Sequence, residues 1–94
     1  PETEQLVDAA LQLKVPAQAR VLDLGTGSGA LAVTLALECP AWDVTATDAS
    51  AAALAVARDN AARLGACVRF FGGDWYGALP AADRFDLVLS NPPY

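Results

Sequence analysis

A glycine-rich turn between an apolar run and a helix-like stretch constrains the fold of this chain more than any other feature. The apolar run Arg20–Leu24 precedes the turn, and the alanine- and leucine-rich stretch Ala30–Glu38 follows it. The turn contains Gly25, Gly27 and Gly29. Glycine lets a backbone turn tightly and approach a ligand without a clash from Cβ. A short apolar run before such a turn is typical of a buried parallel strand. The segment therefore predicts a strand, a tight turn and a helix in succession.

The same alternation of strands and helices continues along the whole chain. Apolar spacing and end signals predict helices over 2–14, 30–38 and 51–64, the last beginning after Ser50 and ending at Gly65. Strands are predicted over 20–24, 44–47, 68–71 and 85–89. This order indicates an α/β fold of about four parallel strands with flanking helices. Ligands of such sheets bind at the carboxyl ends of the strands.

Composition limits the classes of function. The formal net charge is −5, and the six basic residues are scattered, so a nucleic-acid interface is not expected from this segment itself. No apolar stretch reaches the roughly 18 residues of a membrane span. Histidine is absent, so no metal site is predicted. Cys39 and Cys67 are expected to be small buried residues, and the cytoplasm is the expected compartment.

Asp23 distinguishes two classes of cofactor. It lies two residues before the first glycine, where a carboxylate would repel a pyrophosphate but suit the ammonium group of a methionine moiety. This favours a sulfonium nucleoside over NAD, although Gly25, Gly27 and Ala30 also satisfy the dinucleotide-binding pattern. A strand-end carboxylate paired with a nearby arginine is the alternative interpretation of Asp23.

Two further acids follow predicted strands. Asp48 lies about twenty residues beyond the glycine turn, where a carboxylate can accept hydrogen bonds from ribose hydroxyls; capping of the next helix is the alternative. Asp74 and Trp75 follow Gly73, and an acid beside an aromatic ring suits an adenine amine and its ring. Ordinary turn chemistry and a core tryptophan are the alternatives there.

The segment Asn91–Tyr94 follows the fourth predicted strand. Pro92 and Pro93 fix the backbone and remove its N–H donors, which leaves the Asn91 side-chain oxygen and a backbone carbonyl as acceptors. A planar NH₂ group would find two acceptors there and the Tyr94 ring to stack on. The pattern predicts a site for an amide or an aryl amine, with a rigid turn as the alternative.

Together these motifs resemble the release-factor glutamine N5-methyltransferases, the HemK/PrmC family. The resemblance rests on Asp23–Gly29, Asp48, Gly73–Trp75 and Asn91–Tyr94, with Pro1–Glu4 before them. It implies a Rossmann-like S-adenosylmethionine-dependent methyltransferase fold. It also implies methyl transfer to the side-chain amide nitrogen of glutamine in the Gly-Gly-Gln motif of peptide-chain release factors, in translation termination.

The resemblance also assigns roles to residues. Asn91, Pro92 and Tyr94 would bind the glutamine amide as the catalytic group. The cofactor-binding set would be Asp23, Gly25, Thr26, Gly27, Gly29, Asp48, Asp74, Trp75 and Asn91, with S-adenosyl-L-methionine as the cofactor. Residues 1–94 would be one partial methyltransferase domain, with a substrate-docking domain before it and the last strands of the sheet after it. The chain alone would then be inactive.

Three alternatives remain open at this point. An adenine-N6 nucleic-acid methyltransferase shares the Asn91–Tyr94 motif, although the acidic balance disfavours it. A NAD-dependent oxidoreductase shares the glycine turn and Asp48. A non-catalytic segment that binds the cofactor without turnover is the third.

Overall fold

The computed structural model describes residues 2–73 and 84–90. Within them lie helices α1 (Glu2–Leu11), α2 (Ala30–Glu38) and α3 (Ala51–Leu64). The strands are β1 (Arg20–Leu24), β2 (Asp43–Asp48), β3 (Val68–Gly72) and β4 (Leu87–Ser90). The α/β alternation predicted from the sequence is therefore confirmed for the described residues.

The strands form one parallel sheet in the order β3-β2-β1-β4. The chain steps from β1 outward to β2 and β3, and it then returns to the other side of β1 to form β4. The strand order thus reverses at β1. In open parallel sheets, a crevice forms at the carboxyl ends of the strands where the order reverses. The glycine turn that follows β1 lies at this point.

The helices pack on one face of the sheet. Two right-handed crossovers that step in the same direction place α2 and α3 on the same side. Strand register agrees, because Phe70 and Gly72, which contact α3, pair with Ala46 and Asp48 on that face. The core cluster combines buried residues from α1, α2 and this face, namely Val7, Ala10, Ala19, Val21, Leu31, Ala32, Leu35, Ala36, Val44 and Ala46.

Helix α1 is shorter than its apolar spacing predicts. It ends at Leu11 rather than Lys14, and Leu11 is 41% exposed. The N–H groups of the next two residues donate to carbonyls three positions back, with N···O distances of 3.2 Å, which tightens the last turn. Pro16 disfavours helical backbone only at Val15, directly before it, so the end at Leu11 comes from the tightened turn and not from the proline. The predicted extension of this helix to residue 14 is therefore wrong.

Strand β4 begins later than predicted, at Leu87 instead of Phe85. Asp86 makes the first backbone hydrogen bond to β1, from its N–H to the Arg20 carbonyl (2.8 Å), and its carboxylate accepts from the Arg20 N–H (2.8 Å). A side chain therefore replaces one rung of the backbone ladder, and regular pairing starts one residue later.

The predicted burial of the two cysteines is wrong for Cys67. Cys39 is half-buried, whereas Cys67 is exposed, and both are free thiols. Cys67 follows the left-handed turn at Gly65 and precedes β3, so it lies in a connection on the surface. None of the helices in residues 2–73 and 84–90 combines the length and hydropathy of a membrane span.

Helix α3 lies against the glycine turn at a position where only glycine fits. Gly29 is buried and has a φ of +83°, and a Cβ built on it would lie 2.9 Å from the Cβ of Ala57. Gly65 at the end of α3 has a similar φ of +73°, but a Cβ there would meet open space. The two glycines share the backbone requirement, and only Gly29 has the steric one.

These two positions make a matched pair for measuring the close approach. We expect Gly65→Ala to lower the free energy of unfolding by roughly 1 kcal/mol, the cost of a left-handed residue with a side chain. Gly29→Ala should lower it by roughly 2–4 kcal/mol, because overpacking against Ala57 adds to that strain. Urea denaturation of both variants measures the difference, and equal losses would show that α3 yields to the added methyl group.

Candidate functional site

The end of β2 holds the glycine turn in place. The Thr26 N–H donates to the Thr47 carbonyl (N···O 2.8 Å), and the Gly27 N–H donates to Oδ2 of Asp48 (2.8 Å). Backbone donors in a turn need partners when water is excluded. Two consecutive peptides of the turn are thus fixed by a neighbouring strand, which gives the turn a defined shape.

Asp48 also fixes the start of α3. Its Oδ1 accepts a hydrogen bond from the Ser50 N–H (2.9 Å), and the Ser50 hydroxyl in turn caps α3 by accepting from the Ala53 N–H (3.1 Å). Helix capping, the alternative interpretation of Asp48, is thus performed by Ser50, and Asp48 holds that capping residue in place. A carboxylate offers about four lone-pair positions, so two bonds to backbone N–H groups leave room for two hydroxyl donors. Structural and ligand roles are compatible at this residue.

Asp23 is a buried carboxylate that has a hydrogen-bond partner for only one oxygen among the described residues. The side chain is 1% exposed, and its Oδ2 accepts a hydrogen bond from the Thr26 hydroxyl (O···O 2.8 Å). Among the residues that the structure describes, Oδ1 has no hydrogen-bond partner. A buried carboxylate with an unmet acceptor is unfavourable unless a donor or cation comes to it.

Burial raises the pKa of Asp23 to about 6, from an ordinary value of 3.8. The hydrogen bond from Thr26 opposes the rise, and the negative charge of Asp48 adds to it. The carboxyl group therefore loses its proton near pH 6 rather than near pH 4. A cation placed beside it would favour the ionised form and lower its pKa.

The turn presents open space beside two of its glycines. A Cβ built on Gly25 or Gly27 would have no atom of residues 2–73 and 84–90 within 4 Å, and both residues have positive φ. Ser90, the last residue of β4, pairs with Leu24, so β4 ends at the same rim as the glycine turn. The Gly73 N–H donates to the Asp48 carbonyl (3.0 Å), which places the end of β3 there as well.

The structure thus brings six of the predicted site residues to one rim, namely Asp23, Gly25, Thr26, Gly27, Gly29 and Asp48. The other predicted residues, Asp74, Trp75, Asn91, Pro92 and Tyr94, lie outside the described residues. No group of three or more potential metal ligands occurs in residues 2–73 and 84–90.

One contact to this turn was not predicted from the sequence. The side-chain amide of Asn60, on α3, donates to the Ser28 carbonyl with an Nδ2···O distance of 2.9 Å. In the sequence, Asn60 lies in a helix rich in alanine and charged residues and looks like an ordinary surface position. Only its spacing of three residues from Ala57 places it on the side of α3 that faces the turn.

Comparison with known proteins identifies the family. The family model of the methyltransferase small domain matches residues 3–94. The chain belongs to the methyltransferase small domain family. This result agrees with a glycine turn at the carboxyl end of β1 that is fixed by an acid at the end of β2.

Two relatives of this methyltransferase domain carry the same name. The chain is 67% identical over its whole length to a release factor glutamine methyltransferase of Bordetella pertussis, and 54% identical to one of Neisseria gonorrhoeae. It spans about a third of these proteins, 35% and 34% of their lengths. The resemblance predicted from the motifs is confirmed by these matches.

A solved structure supports the fold. A methyltransferase from Geobacter sulfurreducens, described as S-adenosylmethionine-dependent and solved with S-adenosyl-L-homocysteine, superposes with a TM-score of 0.73 at 33% identity. The match covers 96% of this chain and 35% of that one. The predicted Rossmann-like methyltransferase fold is therefore confirmed.

The raised pKa of Asp23 makes stability depend on pH in a defined direction. Between about pH 4 and 6 the folded chain binds more protons at this carboxyl group than the unfolded chain does, so its contribution to the free energy of unfolding falls as the pH rises. We expect Asp23→Asn, without ligand, to stabilise the chain by roughly 2–3 kcal/mol at pH 7.5, the equivalent of the pKa shift, and by little at pH 4. Urea denaturation across this range measures the difference.

Asp59→Asn is the matched control, because Asp59 is a solvent-exposed carboxylate on α3. It should leave the pH dependence of the wild-type chain unchanged. Parallel stability curves for Asp23→Asn and the wild type would contradict the burial of an ionisable Asp23.

Proposed function

We propose that this chain binds S-adenosyl-L-methionine at the rim formed by the glycine turn, Asp23 and Asp48. The observation that carries the proposal is the buried Asp23 carboxylate, whose Oδ1 has no partner among the described residues. The ammonium group of a methionine moiety is a donor and a cation at once, and it would meet both needs of this oxygen. A pyrophosphate would meet neither. The site chemistry therefore favours a sulfonium nucleoside over a dinucleotide.

The remaining parts of the rim suit the rest of this cofactor. The space beside Gly25 and Gly27, which no described residue fills, admits a ligand against the backbone. Asp48 retains lone pairs for ribose hydroxyls, and its position is fixed by the N–H groups of Gly27 and Ser50. Asp74 and Trp75, just after Gly73, are assigned to the adenine in this proposal, on the motif alone. The bound cofactor supplies a methyl group that is already activated by the sulfonium centre.

We further propose that the methyl acceptor is the side-chain amide of glutamine in the Gly-Gly-Gln motif of a peptide-chain release factor. The names of the relatives support a release factor and a glutamine. The position of β4 supports an acceptor site here, because Ser90 ends beside Leu24 and the Asn91–Tyr94 motif follows it directly. The protein would then act in translation termination, in the cytoplasm.

In this reaction the main task of the protein is to position the acceptor amide. An amide nitrogen is a weak nucleophile, because its lone pair is delocalised into the carbonyl. Acceptors on its two N–H bonds orient the group and stabilise the positive charge that develops at nitrogen. The Asn91 side-chain oxygen and the backbone carbonyl of Pro92 are the acceptors in this proposal, with Pro92 and Pro93 fixing the backbone and the Tyr94 ring covering the amide plane.

Cofactor binding is tested by calorimetric titration of the chain with S-adenosylmethionine and, separately, with NADH. We expect binding of the sulfonium compound only, and a loss of about tenfold or more in affinity for Asp48→Asn, because a charge-assisted hydrogen bond to ribose is weakened. Asp43→Asn is the control. Asp43 lies at the opposite end of the same strand, where it pairs with Arg20 and Arg69, and its replacement should leave affinity unchanged.

The acceptor is tested in a chimera in which this chain replaces the matching segment of the Bordetella pertussis methyltransferase. We expect methyl transfer to a release factor, none to a release factor whose motif carries glutamate instead of glutamine, and none to duplex DNA. Asn91→Ala in the chimera should lower kcat by about a hundredfold or more while cofactor affinity changes little, since the lost contact acts mainly on the reacting amide. A chimera that folds and binds the cofactor yet methylates DNA would favour an adenine-N6 acceptor instead.

A further inference from the structure

Asn60 connects α3 to the glycine turn across 32 residues of sequence. Its side-chain amide donates to the Ser28 carbonyl (2.9 Å), one helical turn after Ala57, which packs on Gly29. One face of α3 therefore makes two different contacts with adjacent residues of the turn, a close packing contact and a directed hydrogen bond.

The contact from Asn60 completes the restraint of one peptide plane. The carbonyl of the Ser28–Gly29 peptide accepts from Asn60, and the N–H of the same peptide donates to the Thr26 carbonyl (2.9 Å). Gly29 has a φ of +83°, and glycine adopts positive and negative φ with similar ease. Without a partner on the carbonyl, the hydrogen bond from its N–H to Thr26 would be left to restrain this plane, and its rotation would be easier. Asn60 is the side chain that holds it.

The orientation of the Asn60 amide is itself determined. Its Oδ1 accepts a hydrogen bond from the Arg63 guanidinium, which has no acceptor atoms, so the NH₂ group must be the one that faces Ser28. Arg63 also lies 3.6 Å from the carboxylate of Asp59, in a pair that is largely exposed and so contributes little to stability.

We propose that Asn60 is a positioning residue for the cofactor turn: it fixes the Ser28–Gly29 peptide so that the turn is already in its binding shape before the ligand arrives. This inference rests on the proposed function. A turn that must be ordered during binding loses affinity in proportion to the fraction of time it spends in other shapes. Asn60 acts through the backbone and does not contact the ligand in this scheme.

Two substitutions separate positioning from general stability. Asn60→Ala removes the donor and the contact with Arg63. Asn60→Asp is nearly isosteric, keeps and strengthens the contact with Arg63, and places a carboxylate oxygen against the Ser28 carbonyl. We expect affinity for S-adenosylmethionine to fall roughly five- to tenfold for Asn60→Ala, the equivalent of one hydrogen bond, and further for Asn60→Asp. The melting temperature of Asn60→Asp should stay close to that of the wild type.

Asp59→Asn is the matched control on the same helix and should bind with wild-type affinity. A merely structural role for Asn60 would make affinity follow the melting temperature, so that Asn60→Asp would bind normally. Wild-type affinity in both Asn60 variants, or losses that follow the melting temperature alone, would overturn the proposal.

Amide hydrogen exchange by NMR provides a readout that needs no ligand. The Gly29 N–H belongs to the restrained peptide, so its exchange in the ligand-free chain should become roughly five- to tenfold faster in both Asn60 variants, following the loss of one hydrogen bond. It should stay unchanged in Asp59→Asn. Unchanged exchange at Gly29 in the Asn60 variants would refute the positioning role. If the wild-type chain ignores S-adenosylmethionine while Gly29 exchange responds as expected, the proposed function fails and the role of Asn60 in holding the turn stands.

Discussion

The carboxylate of Asp48 is the contact on which the shape of the rim depends. Its two oxygens accept from the N–H groups of Gly27 and Ser50, so one side chain joins the turn after β1 to the start of α3. Its own backbone carbonyl accepts from Gly73, at the end of β3. Three consecutive strand ends are thereby tied together at one residue. An acid at this position is needed for the architecture before any ligand is considered.

The same rim concentrates negative charge, and this has an energetic consequence for the ligand-free protein. Asp23 is buried, carries an unused acceptor among the described residues, and feels the charge of Asp48. The ionised form is thus disfavoured until a cation neutralises it. The buried negative charge makes the ligand-free site unfavourable in free energy. Binding of a cation removes this unfavourable interaction and also adds favourable ones. Selectivity for a positively charged ligand follows from that balance.

Much of this arrangement could be predicted from local sequence signals. Glycines after an apolar run indicated the turn, and Ser50 and Gly65 marked the bounds of α3 as the structure has them. The start of β4 was predicted less well. The carboxylate of Asp86 takes the place of a backbone hydrogen bond there, and the apolar pattern of the sequence does not reveal such a contact. The end of α1 was misjudged as well, because the apolar spacing continues to Lys14 while the backbone already changes to bonds three positions back at Gln12 and Leu13.

Contacts between distant segments could not be predicted. The hydrogen bond from Asn60 to Ser28 depends on how α3 lies over the turn, and that placement follows from the order of strands in the sheet. That Oδ1 of Asp23 is buried without a partner in the described part of the chain could likewise not be predicted, because burial depends on the fold and not on the identity of the residue. The assignments of Asp74 and Asn91 remain predictions from motifs.

The pairing between Asp86 and Arg20 has a consequence for how the fourth strand can vary. Both the backbone N–H and the carboxylate of Asp86 form hydrogen bonds with the backbone of Arg20 in β1. These two bonds fix the register in which β4 pairs with β1. A slip of one residue in a strand turns every side chain to the opposite face. A single insertion or deletion between Asp86 and Ser90 would therefore shift whatever follows β4 relative to the glycine turn, even if the sheet itself survived. The spacing of this short stretch should tolerate changes in composition far better than changes in length.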